Sequence, residues 1–167
     1  PSIYTGQKAT SNECSFFTIS FFDGYIWSAY GTMAGLRFKT IADGKEVFLA
    51  GGNPVVTDAV KGTLHISWPL KSFAGTLVID IDERQIKMRV EGAKLNKWFL
   101  DLTTADHATL PFKKISPDKV DCEFEGMNYS INALKGTFSK PSEDIVFRLT
   151  PQNNTLILNL QDTNKSK

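Results

Sequence analysis

Cysteine, histidine, net charge and long apolar runs are all scarce in this chain, and each shortage excludes a class of protein. Two cysteines, Cys14 and Cys122, and two histidines, His65 and His107, are spread through 167 residues. No zinc-ligand spacing can be built from them, and no metal site is expected. A disulfide between Cys14 and Cys122 fits an oxidising compartment, and two buried thiols fit equally well. Nineteen basic residues against eighteen acidic ones leave a formal net charge of +1. That balance lacks the clustered Lys and Arg of a nucleic-acid binder. The longest uncharged apolar stretch, Cys14 to Phe22, is far too short to span a bilayer. Membrane insertion is therefore not expected.

Nucleotide-binding signatures are missing as well. There is no Gly-x-Gly-x-x-Gly and no Gly-x-x-x-x-Gly-Lys, and Gly51-Gly52-Asn53-Pro54 is turn chemistry. No cofactor is expected. Gly-x-Ser-x-Gly is absent too, and neither histidine sits in a recognisable nucleophile arrangement.

Hydrophobic residues at 41% and charged residues at 22% describe an ordinary globular chain. Helical periodicity is nearly absent. Short alternating segments bounded by Gly, Pro, Asn and Asp recur along almost the whole length. The first is the most explicit. Phe16 to Phe22 and Tyr25 to Tyr30 read as two strands joined by Asp23-Gly24, which supplies the positive φ angles of a two-residue hairpin loop. That loop sets the register, pairing Phe22 with Tyr25, Phe21 with Ile26, Ser20 with Trp27 and Ile19 with Ser28. One face then carries Phe17, Ile19, Phe21, Ile26 and Tyr30, and the other Phe16, Thr18, Ser20, Phe22, Tyr25 and Trp27.

Further strands are expected at 34–41, 46–49, 63–68, 98–102, 120–124, 127–133, 145–149 and 155–160. Gly75 to Val90 is a second hairpin bending at Asp82-Glu83-Arg84. In it Leu77, Ile79, Ile81, Ile86, Met88 and Val90 face the core, while Asp80 and Asp82 meet Lys87 and Arg89 outside. Thr103 to Ala108 is expected to hold one helical turn. About a dozen short strands predict an all-β, antiparallel sandwich, jelly-roll-like, with a closed barrel as the alternative. A single domain over 1–160 and a polar tail over 161–167 complete the expected organisation.

Two constellations carry candidate chemistry. Tyr25 and Trp27, with Ser20 and Thr18 beside them, combine rings that stack on pyranose C–H patches with hydroxyls that bond ring substituents. The competing reading is a strand covered on both faces, its aromatics simply core. Asp121, Glu123 and Glu125 alternate with Val120, Cys122 and Phe124, so the three carboxylates share a face at about 6.5–7 Å per step. That spacing approaches a glycosidase pair or a Ca²⁺ cluster. It equally describes a solvated outer face. Trp68 and Trp98 share faces with aliphatic neighbours and are expected in the core. Asn128-Tyr129-Ser130, Asn153-Asn154-Thr155 and Asn164-Lys165-Ser166 match the glycosylation sequon, a pattern that arises readily by chance.

Short strands, dispersed Trp and Tyr, and a balanced surface together resemble accessory β-sandwich domains of secreted carbohydrate-active systems. Lipocalin-like barrels share the length, but no Gly-x-Trp stands near the amino terminus. The Tyr25/Trp27 face motivates a non-catalytic module that binds a glycan or packs against a larger partner, and an all-β, polar-surfaced chain fits an extracytoplasmic setting. Two other functions follow from other features: a barrel carrier of a small apolar ligand, from the twelve phenylalanines, and a glycan-cleaving enzyme using the carboxylates. No leader is read at Pro1, which fits a mature secreted product, an excised domain or a cytosolic protein.

Overall fold

The computed structural model describes residues 2–9, 12–22, 25–30, 34–57, 63–71, 73–82, 85–92, 97–104, 112–124 and 126–162. Side chains are described from Arg37 onward, except at Thr104, Phe124, Met127 and Asp162. Among the described residues every regular element is a strand: β1 Ser2–Ala9, β2 Asn12–Phe22, β3 Tyr25–Tyr30, β4 Ala34–Ala42, β5 Lys45–Phe48, β6 Val55–Thr57, β7 Leu64–Pro69, β8 Thr76–Ile81, β9 Gln85–Glu91, β10 Trp98–Thr104, β11 Phe112–Ser116, β12 Lys119–Phe124, β13 Met127–Lys135, β14 Thr137–Ser139, β15 Ile145–Thr150 and β16 Thr155–Asp162.

They form two antiparallel sheets, and the fold is a β-sandwich. The first runs β1-β2-β3-β4-β10-β15-β14, with β5 also on β4; the second runs β11-β12-β13-β16-β9-β8-β7-β6. One edge of β4 is shared: β3 pairs with residues 34–37 and β5 with 39–42, while β10 takes the other edge. Neither sheet closes on itself among the described residues, so the barrel alternative is corrected. Among the described residues the interior is also filled by one buried cluster, which leaves no lumen there for an apolar ligand.

The filling follows from alternation. Leu77, Ile79, Ile86, Met88 and Val90 in the second sheet, and Phe38, Leu100, Leu102, Phe147 and Leu149 in the first, are all buried in one core. Each such side chain contributes about 1.5–3 kcal/mol on leaving water. Two aromatic trios join the layers. Phe38 lies 5.3 Å from Trp98 and 6.2 Å from Trp68 across the interior, and Phe147 meets Phe112 at 5.2 Å and Phe138 at 5.4 Å, both edge-on. Trp68 and Trp98 are core residues, as their neighbours imply. The indole N–H of Trp68 donates to Gly52 O at 2.9 Å. Gly51 lies against the same ring, and a Cβ there would stand 2.3 Å from it.

Turn chemistry behaves as its residues demand. Asp43-Gly44 and Asn153-Asn154 both hold consecutive positive φ angles, the requirement of a tight hairpin. Asp23-Gly24 lies outside the described residues, but the strands it joins pair Phe22 with Tyr25, Phe21 with Ile26 and Ser20 with Trp27. The second hairpin also keeps its expected register, pairing Leu77 with Val90, Ile79 with Met88 and Ile81 with Ile86.

Some expectations are corrected. Thr103 and Thr104 do not start a helical turn; they continue β10, paired with Gly35 and Ala34, because an extended neighbour is there to receive them. Residues 105–108 lie outside the described part. β16 runs on through Gln161 and Asp162, which pair with Ser130 and Tyr129, so the strand enters the segment expected as tail. Strands β1, β6 and β11 are additional, and β14 opens directly after Gly136. Cys122 is buried, and its Sγ lies 3.6 Å from the Val120 carbonyl oxygen; the side chain of Cys14 lies outside the described ones.

Candidate functional site

β10 lies between β4 and β15 and turns Trp98, Leu100 and Leu102 into the core, so Phe99 and Asp101 fall on the outer face of the first sheet. They are buried there nonetheless. The Asp101 carboxylate has no exposed surface. Arg148 grips it as a fork, Nε donating to Oδ1 at 2.7 Å and Nη2 to Oδ2 at 3.0 Å, and Lys39 Nζ donates to Oδ2 at 3.1 Å. This geometry suits a planar guanidinium and a carboxylate. Arg148 Nη2 also donates to Glu46 Oε1 at 2.6 Å. The guanidinium carbon stands 4.0 Å above the centre of the Phe99 ring, and Lys39 Nζ lies 5.5 Å from that of Phe48. The hydrogen bond to Asp101 raises the Arg148 pKa; burial opposes that rise and Glu46 adds to it. Burial lowers the pKa of Arg37.

Beside this network opens a cleft of about 560 Å³, lined among others by Ile41, Lys97, Phe99, Arg148, Thr150 and Asn153. Ile41, Val47 and Phe48 in the β4–β5 hairpin are exposed. The cleft therefore joins an aromatic ring, two cationic side chains and an amide beside an apolar rim.

Strand pairing relates this face to the first hairpin. One row across the sheet reads Ser2, Ser20, Trp27, Arg37, Asp101, Arg148, Ser139. Its described side chains at Arg37, Asp101 and Arg148 belong to the outer face; the row of Phe38, Leu100, Leu149 and Phe138 is the inner one. The side chains of Thr18, Ser20, Tyr25 and Trp27 lie outside the described ones.

The acidic strand stands elsewhere, on the outer face of the second sheet. Asp121 is 3.6 Å from Lys119 Nζ and Glu123 is exposed; Glu125 lies outside the described residues. Neither Asp121 nor Glu123 lines the cleft beside Phe99 or a second one beside His65.

That second cleft, of about 320 Å³, lies on the outward face expected to gather Asp80, Asp82, Lys87 and Arg89, and adds His65, which sequence reasoning did not join to them. It is lined by Thr63, Leu64, His65, Asp80, Ile81, Asp82, Gln85 and Lys87. His65 Nδ1 is hydrogen-bonded to Asp80 Oδ1, Arg89 Nη1 donates to Asp80 Oδ2 at 2.9 Å, and Arg89 Nε donates to Glu91 at 2.8 Å. Burial alone would raise the Asp80 pKa, but the hydrogen bonds and positive charges of His65 and Arg89 together lower it. Asp82 does not join Arg89; its Oδ1 accepts the Gln85 backbone N–H at 2.8 Å across the bend. The signal available was the polar face of 63–68, where His65 stands between Thr63 and Ser67.

The fold defines an antiparallel two-sheet sandwich with a charged, aromatic outer face on one sheet and a polar one on the other. No protein-family model matches the chain, and no curated protein matches it. Among solved structures it is similar to part of a glycoside hydrolase family 81 protein from Clostridium thermocellum, at 10% identity and a TM-score of 0.45, over 86% of this chain and 21% of that one. The chain thus spans about a fifth of that protein's length.

Proposed function

We propose that this chain is a non-catalytic β-sandwich module that binds a saccharide on the outer face of its first sheet, as a carbohydrate-binding or accessory domain. The observation that carries this reading is the cleft beside Phe99. It sets a ring next to Arg148, Lys97, Thr150 and Asn153 on the face to whose central row Trp27 belongs by register. Sugars are held by a ring for the C–H face and fixed polar groups for the hydroxyls; Phe99 is itself buried beneath the Arg148 guanidinium, so the cleft would supply the polar groups and Trp27 the stacking ring. Tyr25 and Trp27, with Ser20 and Thr18, would extend the platform along β2 and β3.

The non-catalytic half of the reading rests on how the acids are used. Asp101 gives both oxygens to Arg148 and one of them also to Lys39. A general acid or base needs an oxygen within reach of the substrate proton. Asp121 and Glu123 line neither cleft. Affinity-gel retention and a glycan array, run on the parent and on Trp27→Ala, test the reading. The variant is expected to lose at least about tenfold in affinity, as an aromatic anchor does. Equal retention by both, or no glycan held by the parent, would overturn it.

A further inference from the structure

We infer that the outer face of the second sheet is a separate track for an acidic oligosaccharide, with its oxyanion pocket at Lys87 and its hydroxyl-reading row at Gln85, Asn159 and Asn132. The class of ligand rests on the reading above; the residues are disjoint from the Phe99 platform.

Hydrogen-bonding capacity in the His65 cleft is unevenly spent. Both Asp80 oxygens are occupied, one by His65 and one by Arg89, and Asp82 Oδ1 is occupied by a backbone N–H. The Lys87 ammonium forms no ion pair or hydrogen bond among the described residues, although Lys87 pairs with Asp80 across the strands. The Gln85 side-chain amide is likewise uncommitted. The Lys87 ammonium and the Gln85 amide therefore keep unused donors beside carboxylates whose Asp80 oxygens and Asp82 Oδ1 already accept. The group that complements this is an acceptor-rich one, a carboxylate or a sulfate.

The row beside it adds length. Gln85 pairs with Asn159, Asn159 with Asn132, and Asn132 with Lys119, so three amides and an ammonium succeed one another across four strands. Neighbouring strands lie about 4.8 Å apart, close to the length of one pyranose unit. Asn132 Nδ2 donates to Ser130 Oγ at 3.2 Å and to Gln161 Oε1 at 3.4 Å. Asn159 Oδ1 is shielded from solvent and accepts no hydrogen bond among the described residues. An acceptor withdrawn from water without a donor is costly. A turn of the amide about its soft χ2 bond brings that oxygen to a hydroxyl laid along the row, which supplies the missing donor.

The experiment is an amide-resolved NMR titration of the whole chain with digalacturonate, a sulfated disaccharide, inorganic sulfate and cellobiose, on the parent, Lys87→Ala, Gln85→Ala and Trp27→Ala. Saturable shifts with digalacturonate or the sulfated disaccharide are expected to cluster at His65, Gln85, Lys87, Asn132 and Asn159. Whichever of the two binds more tightly identifies the oxyanion. Lys87→Ala should weaken that binding about tenfold, the worth of one charged hydrogen bond, and Trp27→Ala should leave it unchanged. Equal response to cellobiose, binding of inorganic sulfate as tight as either disaccharide, shifts confined to β3 and β4, or no effect of Lys87→Ala and Gln85→Ala would each overturn the inference. In the third of these outcomes the platform reading survives alone. Acidic-sugar shifts at β9 and β16, with no glycan sensitive to Trp27→Ala, would leave this track standing and remove the platform.

Discussion

The indole N–H of Trp98 in the first sheet donates at 2.6 Å to the side-chain oxygen of Asn154, which stands at the head of β16 in the second. The same amide turns its nitrogen to the carbonyl of Val90 in β9. One exposed turn residue thus ties an interior strand of one layer to two strands of the other. Asn154 also sits at φ 61°, where asparagine is tolerated better than most residues.

Replacing Asn154 separates these two roles. Asn154→Gly keeps the backbone at ease and loses only the bonds, at about 1–3 kcal/mol for a buried donor left unmet. Asn154→Ala adds the strain of positive φ and is expected to unfold at lower urea than the glycine variant. Urea midpoints for the two variants and the parent decide the order.

Asp101 is the anion on which two cations of the outer face depend. Asp101→Ala strands Lys39 and Arg148, both largely shielded, and should cost about 3–5 kcal/mol, as breaking a buried pair does. Replacing all three together (Lys39→Met, Asp101→Leu, Arg148→Met) should cost much less, because no charge is then left unmet. Denaturant unfolding of the single and triple variants compares the two.

At Gly51 the ring of Trp68 leaves no room for a methyl group. Gly51→Ala should destabilise the fold by about 1–3 kcal/mol through overpacking, with a change in the near-ultraviolet signal of the tryptophans. A stability equal to the parent would mean that the connection from β5 to β6 shifts freely.

Acid should act through Asp80. Its folded pKa lies below the ordinary 3.8, so the unfolded chain takes up the proton first. The stabilisation is complete above the ordinary carboxylate value and is lost as pH falls through the lower folded one. Asp80→Asn should flatten the decline of the urea midpoint over that acid range, and leave its slope unchanged near neutrality.

How much of this was legible in the chain depended on distance along it. The Phe22/Tyr25 register and the inward face of β8 and β9 could be read because a short turn or a strict alternation of Leu, Ile and Val specifies them locally. Strands β6 and β11 could not: Val55 and Val56 lie on an edge with both faces exposed, and Phe112-Lys113-Lys114-Ile115 does not alternate. Asp101 was readable as an outward residue of its strand, but Arg148 stands 47 positions away and Lys39 62. Nothing in local spacing brings them together. His65 and Asp80 were each on a polar face, yet the connection from Leu70 to Gly75 is too long for turn chemistry to set which residues oppose.

The order of strands carries a further consequence. The chain builds most of one layer, leaves to lay down β6 to β9 of the other, returns for β10, departs again for β11 to β13, and finishes each with β14 to β16. No contiguous stretch contains a whole sheet. A protease cut in any loop would therefore leave two pieces that each need the other, and the nicked molecule should stay associated until both come apart in a single transition.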